Sequence, residues 1–151
     1  MPKLYVDANP HCVAYVLENG GSDYKMLQSG YTSIEAEYLA IIHGLNEYFL
    51  KWNKELDARQ ADMDTEKMKH TGNVEFADVA SPADKTRRPL PPPVMVCCDN
   101  EVVVKQLSRE YHIANDRLRK LAQQIWQQVQ NVDVKFQWIP RNENLAGKML
   151  K

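Results

Sequence analysis

The spacing of apolar residues changes period along this chain, and the order of those changes restricts the folds open to it. Over the first 31 residues the period is two: Leu4, Val6 and Ala8 share one side of an extended chain, Tyr5 and Asp7 the other. Asn9-Pro10-His11 and Asn19-Gly20-Gly21-Ser22 interrupt that alternation. Segments 4–8, 12–18 and 24–31 are therefore predicted as three antiparallel strands joined by turns. From Ile34 the period is helical, with Tyr38, Ile41, Leu45, Tyr48, Trp52 and Leu56 on one stripe and Thr32 and Glu35 spaced as a capping box. Val94-Met95-Val96-Cys97-Cys98 is then a short continuous apolar run closed by Asp99, the pattern of a strand covered on both faces. Helical stretches at about 100–110 and 114–130 and an alternating segment at 132–139 follow, the last with Val132, Val134, Phe136 and Trp138 on one face and Trp138 expected in the core, and only a stub of helix is expected after Pro140.

Strands separated by helices pair in parallel, whereas hairpins pair antiparallel. The expected fold is α/β: a five-stranded mixed sheet, three antiparallel strands then two parallel, flanked by helices. At 151 residues and 44% hydrophobic, one domain over 1–151 is expected. A mobile insertion is expected at about 59–93, where periodicity fades and five of the eight prolines (Pro82, Pro89, Pro91, Pro92, Pro93) gather. No apolar run approaches the ~20 residues of a membrane span, and the start MPKLYVD lacks the order of a signal peptide, so a cytoplasmic protein without a membrane partner is expected. Cys12, Cys97 and Cys98 are too few and too odd in number for a disulfide framework and read as buried free thiols. A formal net charge of -1 excludes blanket electrostatic attraction to nucleic acid but leaves room for a local patch. Lys105, Arg109, Arg117, Arg119 and Lys120 could form one, although a solvated helix face explains them more simply.

Three acids stand in places that disfavour charge. Asp7 interrupts the first strand, Glu37 shares the helix face of Ile34 and Ile41, and Asp99 closes the apolar run. Each has an ordinary explanation alone: a turn cap for Asp7, a helix-surface acid for Glu37, an N-cap for Asp99. If the first and fourth strands are neighbours and the helix crosses them, all three meet at one end of the sheet, where their repulsion requires a cation. Carboxylate oxygens without convergent histidine or thiol favour Mg²⁺ or Mn²⁺, and a pair of such ions is suited to hydrolysing a phosphodiester.

The segments Y-V-D-A-N, T-S-I-E-A-E-Y-L-A-I-I-H-G-L, V-M-V-C-C-D-N and F-Q-W-I-P-R-N-E-N-L-A-G-K, in this order, resemble the type 1 ribonuclease H family, and within it the short reverse-transcriptase-like branch. The resemblance spans about 3–58 and 94–150. It implies the mixed five-stranded sheet and a metal-dependent endoribonuclease, a monomer that hydrolyses the RNA strand of RNA/DNA hybrids with two Mg²⁺ or Mn²⁺ ions. The family's three leading acids fall on Asp7, Glu37 and Asp99. Where the family has an Ala-Asp pair this chain has Ala146-Gly147, so Gly147 takes the position of the fourth acid, with Glu143 or Asn144 of the same loop as substitutes. Ala8, Asn9, Thr32, Ser33 and Asn100 are the expected substrate contacts. Two alternatives remain open at this point: a non-catalytic ribonuclease H-like module that binds nucleic acid, and a nuclease acting on another nucleic acid.

Overall fold

The computed structural model describes residues 1–150 apart from Asn19, Ser29 and residues 71–89, and of residues 59–70 it describes the backbone. The elements run β1 (Lys3–Asn9), β2 (Cys12–Leu17), β3 (Ser22–Met26), α1 (Ser33–His70), β4 (Val94–Cys98), α2 (Glu101–Leu107), α3 (Asp116–Gln128) and β5 (Val134–Trp138). Two short 3-10 segments, Arg141–Glu143 and Leu145–Leu150, close the chain. The sheet order is β3-β2-β1-β4-β5. The hairpin pairs β1–β2 and β2–β3 are antiparallel, and β1–β4 and β4–β5 are parallel, which is the mixed sheet expected from the periodicity. The chain divides into two compact units, Met1–Tyr48 with Pro92–Lys151, and Phe49–Pro91. The sheet, α2, α3 and the start of α1 all belong to the first.

Within that unit the helical stripe and the strand alternation meet. Leu4 and Val6 of β1, Val13 of β2, Val94 and Val96 of β4, and Tyr38, Ile41 and Leu45 of α1 are all fully or almost fully buried. Gly44 sets the approach of helix to sheet: a Cβ there would lie 3.2 Å from Val6 Cγ1, 3.3 Å from Leu4 Cδ2 and 3.3 Å from Tyr15 Cβ. The start of α1 is fixed by the expected capping box, with the Glu35 N–H donating to Thr32 Oγ1 at 3.2 Å and the Thr32 N–H donating to Glu35 Oε1 at 3.3 Å. The Arg117 guanidinium reaches Glu35 at 2.9 Å, and Gln128 Nε2 donates to Ile42 O at 3.2 Å, tying α3 to α1. All three cysteines are buried free thiols, as expected.

Three local expectations are corrected. The third strand occupies Ser22–Met26 rather than 24–31: the Leu27 N–H bonds to His11 O at 2.8 Å, and Gly30 at φ 108° turns the chain towards α1. α1 continues through residues 59–70, which were assigned to the insertion. Ala, Arg, Gln, Met, Glu and Lys are frequent there, so intrinsic propensity carries a helix that an apolar stripe does not announce. Residues 71–89 of the expected insertion lie outside the described residues. Trp138, read as core on the apolar face of β5, is 43% exposed, with its indole N–H donating to Asp99 O at 3.2 Å. Among the described residues, no helix is long and apolar enough to cross a membrane.

Gly44→Val should expose the dependence of this packing on a missing side chain. Three core neighbours crowd the position, so the variant should lose about 2 kcal/mol of stability in urea denaturation, despite the better helix propensity of valine. A variant as stable as the original would show that α1 can move off the sheet.

Candidate active site

Parallel pairing of β1 with β4 points both carboxyl ends the same way, which carries Asp7 and Asp99 to one end of the sheet. Glu37, in the first turns of α1, is buried at that same end. One carboxylate oxygen from each of the three lies within 4.8 Å of the other two. The triad inferred from the sequence is thus assembled.

Each acid is held by a neutral donor. The Ala8 N–H donates to Asp7 Oδ1 at 2.9 Å, Cys98 Sγ to Glu37 Oε2 at 3.5 Å, and Asn144 Nδ2 to Asp99 Oδ2 at 3.2 Å. Among the described residues, the cation paired with the cluster is exposed: Arg141 Nε is 4.0 Å from Asp99 Oδ2. Burial, and then the charges of Asp7 and Asp99, push Glu37 up to about 9. Burial first and the Asp99 charge second also raise Asp7. Protein alone leaves this cluster short of positive charge, so it retains a proton at neutral pH or takes up a cation. Carboxylate oxygens are hard donors, and the adjacent Cys98 thiol is kept protonated by burial, which raises it well above its ordinary value. The donor set therefore fits Mg²⁺ or Mn²⁺.

The two substitutes for a fourth acid fare differently. Glu143 is exposed and lies outside the cluster. Asn144 is 1% exposed, and its amide orientation is fixed by its partners: Nδ2 donates to Val6 O at 2.8 Å and Oδ1 accepts from the Ala146 N–H at 3.1 Å. It therefore turns a donor towards Asp99 and serves as an orienting group. Gly147 does lie at the site, packed over Asp7, and a Cβ added there would stand 2.8 Å from Asp7 Oδ2. A side chain at 147 has to displace the first aspartate.

A cleft of about 570 Å³ opens beside the triad, lined by Asp7, Ala8, Asn9, Arg141, Asn142 and Lys148 among others. Ala8 and Asn9 stand where a substrate contact was expected, although Asn9 Oδ1 already accepts from the His11 N–H at 2.8 Å. Thr32 and Asn100 are helix caps: Thr32 closes α1, and Asn100 Oδ1 accepts from the Val103 N–H at 3.2 Å at the start of α2. Ser33 is exposed at the first residue of α1. None of these three lines the cleft. Arg141 and Lys148, the cations that do line it, were missed in the sequence, where they flank N-E-N-L-A-G without a periodic signal. Of the helical basic residues, Lys105 pairs with Glu101 at 3.1 Å, Arg119 with Asp116 at 3.3 Å, and Arg109 stacks on Trp126 at 4.2 Å from the ring centre, in keeping with a structural face.

A family model described as reverse transcriptase-like matches residues 91–150, the part that contains Asp99, Asn144 and Gly147. Solved structures match nearly the whole chain. RNase H1 from the halophilic archaeon Halobacterium salinarum superposes with a TM-score of 0.64 at 17% identity, covering 99% of this chain and 92% of that one. The chain has the ribonuclease H fold. The N-terminal RNase H domain of a Mycobacterium tuberculosis protein gives a TM-score of 0.60 at 17% identity, covering 97% and 88%. LC11-RNase H1, solved in complex with an RNA/DNA hybrid, gives 0.62 at 18% identity, covering 98% and 92%. No curated protein sequence matches. At these identities the structural likeness establishes the ribonuclease H fold, and the chemistry is read from the residues of this chain.

Two outcomes follow from the site. In EDTA, folded Glu37 holds its proton between its ordinary value of 4.5 and about 9, while the unfolded chain releases it. Its contribution to stability is therefore complete below the lower value and falls by up to ~1.4 kcal/mol per pH unit as pH rises towards the upper. Urea denaturation of Glu37→Gln in EDTA should match the original protein near pH 4.5 and exceed it at pH 8, and parallel profiles would contradict the assigned burial. Separately, Gly147→Ala should push Asp7 out of place and weaken Mn²⁺ binding by about tenfold with the fold retained; unchanged binding would show that Asp7 can move freely.

Proposed function

We propose that this ribonuclease H-like chain is a divalent-metal-dependent endonuclease that hydrolyses the RNA strand of RNA/DNA hybrids by two-metal-ion chemistry. The observation that carries the reading is the convergence of Asp7, Glu37 and Asp99 at the sheet end, with Glu37 buried and the cluster short of counter-charge. A module that only bound nucleic acid would gain nothing from concentrating negative charge where phosphates approach. The LC11 relative, solved with a hybrid, supports the substrate class.

Asp7, Glu37 and Asp99 are the residues that would hold the metal. Bound Mg²⁺ or Mn²⁺ supplies Lewis-acid polarisation of the phosphate and a nucleophilic water at neutral pH. The remaining tasks fall to the chain. Ala8, a small residue directly after Asp7, leaves the backbone of β1 open to a sugar 2′-hydroxyl, the group that distinguishes RNA from DNA. Arg141 and Lys148, on the cleft wall, supply the positive charge that draws a phosphate backbone towards an acidic centre. Asn144 and the Ala8 N–H fix Asp99 and Asp7 without neutralising them.

A second reading, a binding module without turnover, is favoured by one observation, the glycine at the fourth acid position. Labelled RNA/DNA hybrid, duplex RNA, duplex DNA and single strands, each incubated with Mg²⁺, Mn²⁺ or EDTA, separate the possibilities. Cleavage of the hybrid alone, and only with metal, is expected. Asp7→Asn and Asp99→Asn should each lose more than about two orders of magnitude in rate while remaining folded, since losing a ligand costs more than losing a group that orients one. Hybrid binding without cleavage would establish the module instead, and preferential cleavage of another substrate would reassign the nuclease.

A further inference from the structure

Cys98 ends β4 on the side that faces α1, in line with the buried Val94 and Val96, and is 1% exposed. A cysteine there could be nothing more than filler for the core. Its hydrogen bonds indicate otherwise. The Asn100 backbone N–H donates to Cys98 Sγ at 3.4 Å, and Sγ in turn donates to Glu37 Oε2 at 3.5 Å. Asn100 is itself immobilised as the cap of α2 through Val103. A continuous path thus runs from the first turn of α2, through the sulfur, to the most buried acid of the triad. Glu37 has a flexible side chain with three torsions, and it is the triad member that reaches the site from the helix rather than from the sheet.

We propose that Cys98 is a positioning residue, its thiol holding the Glu37 carboxylate towards Asp7 and Asp99 so that the three can share a cation. The proposal rests on the metal-site reading given above. A thiol suits the place: it is small enough for the core, it donates one hydrogen bond while accepting another, and it adds no charge to a crowded acidic cluster. Groups that orient a metal ligand in this way commonly contribute a factor of 10–100 to metal affinity.

Cys98→Ser keeps a donor and Cys98→Val keeps apolar bulk, so the pair separates positioning from packing. Free Mn²⁺ counted by electron paramagnetic resonance during titration of the folded full-length chain, without nucleic acid, gives affinity independently of turnover. Positioning predicts that Cys98→Ser binds Mn²⁺ within about twofold of the original and Cys98→Val about tenfold more weakly. Packing alone predicts the reverse order, with valine equal to the original. Either equal affinity for valine or a serine variant as weak as the valine one overturns the proposal. If Cys98→Val fails to fold, Cys98→Ala removes the same donor without added bulk and should show the same tenfold loss, and original affinity in it overturns the proposal. Absence of Mn²⁺ binding by the unsubstituted chain would instead overturn the metal-site reading, and the role of Cys98 with it.

Discussion

Repulsion among Asp7, Glu37 and Asp99 is the constraint around which the rest of this molecule is arranged. Three carboxylates whose oxygens lie within 4.8 Å would move apart in a flexible chain. They stay together because each is attached to something that cannot move. Asp7 is embedded in a strand paired on both sides, Asp99 follows the adjacent central strand, and Glu37 lies on a helix packed against β1 and β2 at Gly44. The parallel pairing of β1 with β4 is decisive, because antiparallel pairing would send the two aspartates to opposite ends of the sheet.

Orientation within the cluster comes from neutral donors, and this has a chemical purpose. An ammonium or guanidinium bonded directly to the acids would satisfy their charge and compete with a metal. A backbone N–H, an amide and a thiol fix the oxygens and leave the charge to be met by something from outside. Asn144 also anchors the C-terminal 3-10 segment to β1 through Val6 O, so the turn that brings Arg141 and Lys148 to the cleft is registered against the same strand that carries Asp7.

The parts of the fold legible in the sequence were those governed by period and by local turn chemistry. Alternation located β1, β2 and β5, the Thr32–Glu35 box located the start of α1, and the apolar run closed by Asp99 marked the buried central strand. The triad was legible for the same reason: acids at inward positions conflict with their surroundings, and the conflict is visible in one dimension. The functions of Asn144 and Cys98 were not, because a buried asparagine and a buried cysteine break no pattern, and their partners are distant in sequence. Gly147 was recognised as a departure, but its closeness to Asp7 depends on how the last turn packs over β1. The end of α1 escaped notice because propensity without an apolar stripe leaves no period to count, and Trp138 was misassigned because alternation gives a face without saying whether that face is covered.

Crystals soaked in Mn²⁺ and measured near the manganese absorption edge test the central claim most directly, because the anomalous signal locates the ion without reference to any activity. The account predicts an anomalous peak among the carboxylates of Asp7, Glu37 and Asp99, lost in Asp7→Asn crystals. A peak elsewhere, or none at the triad when the surrounding residues are well ordered, would contradict it.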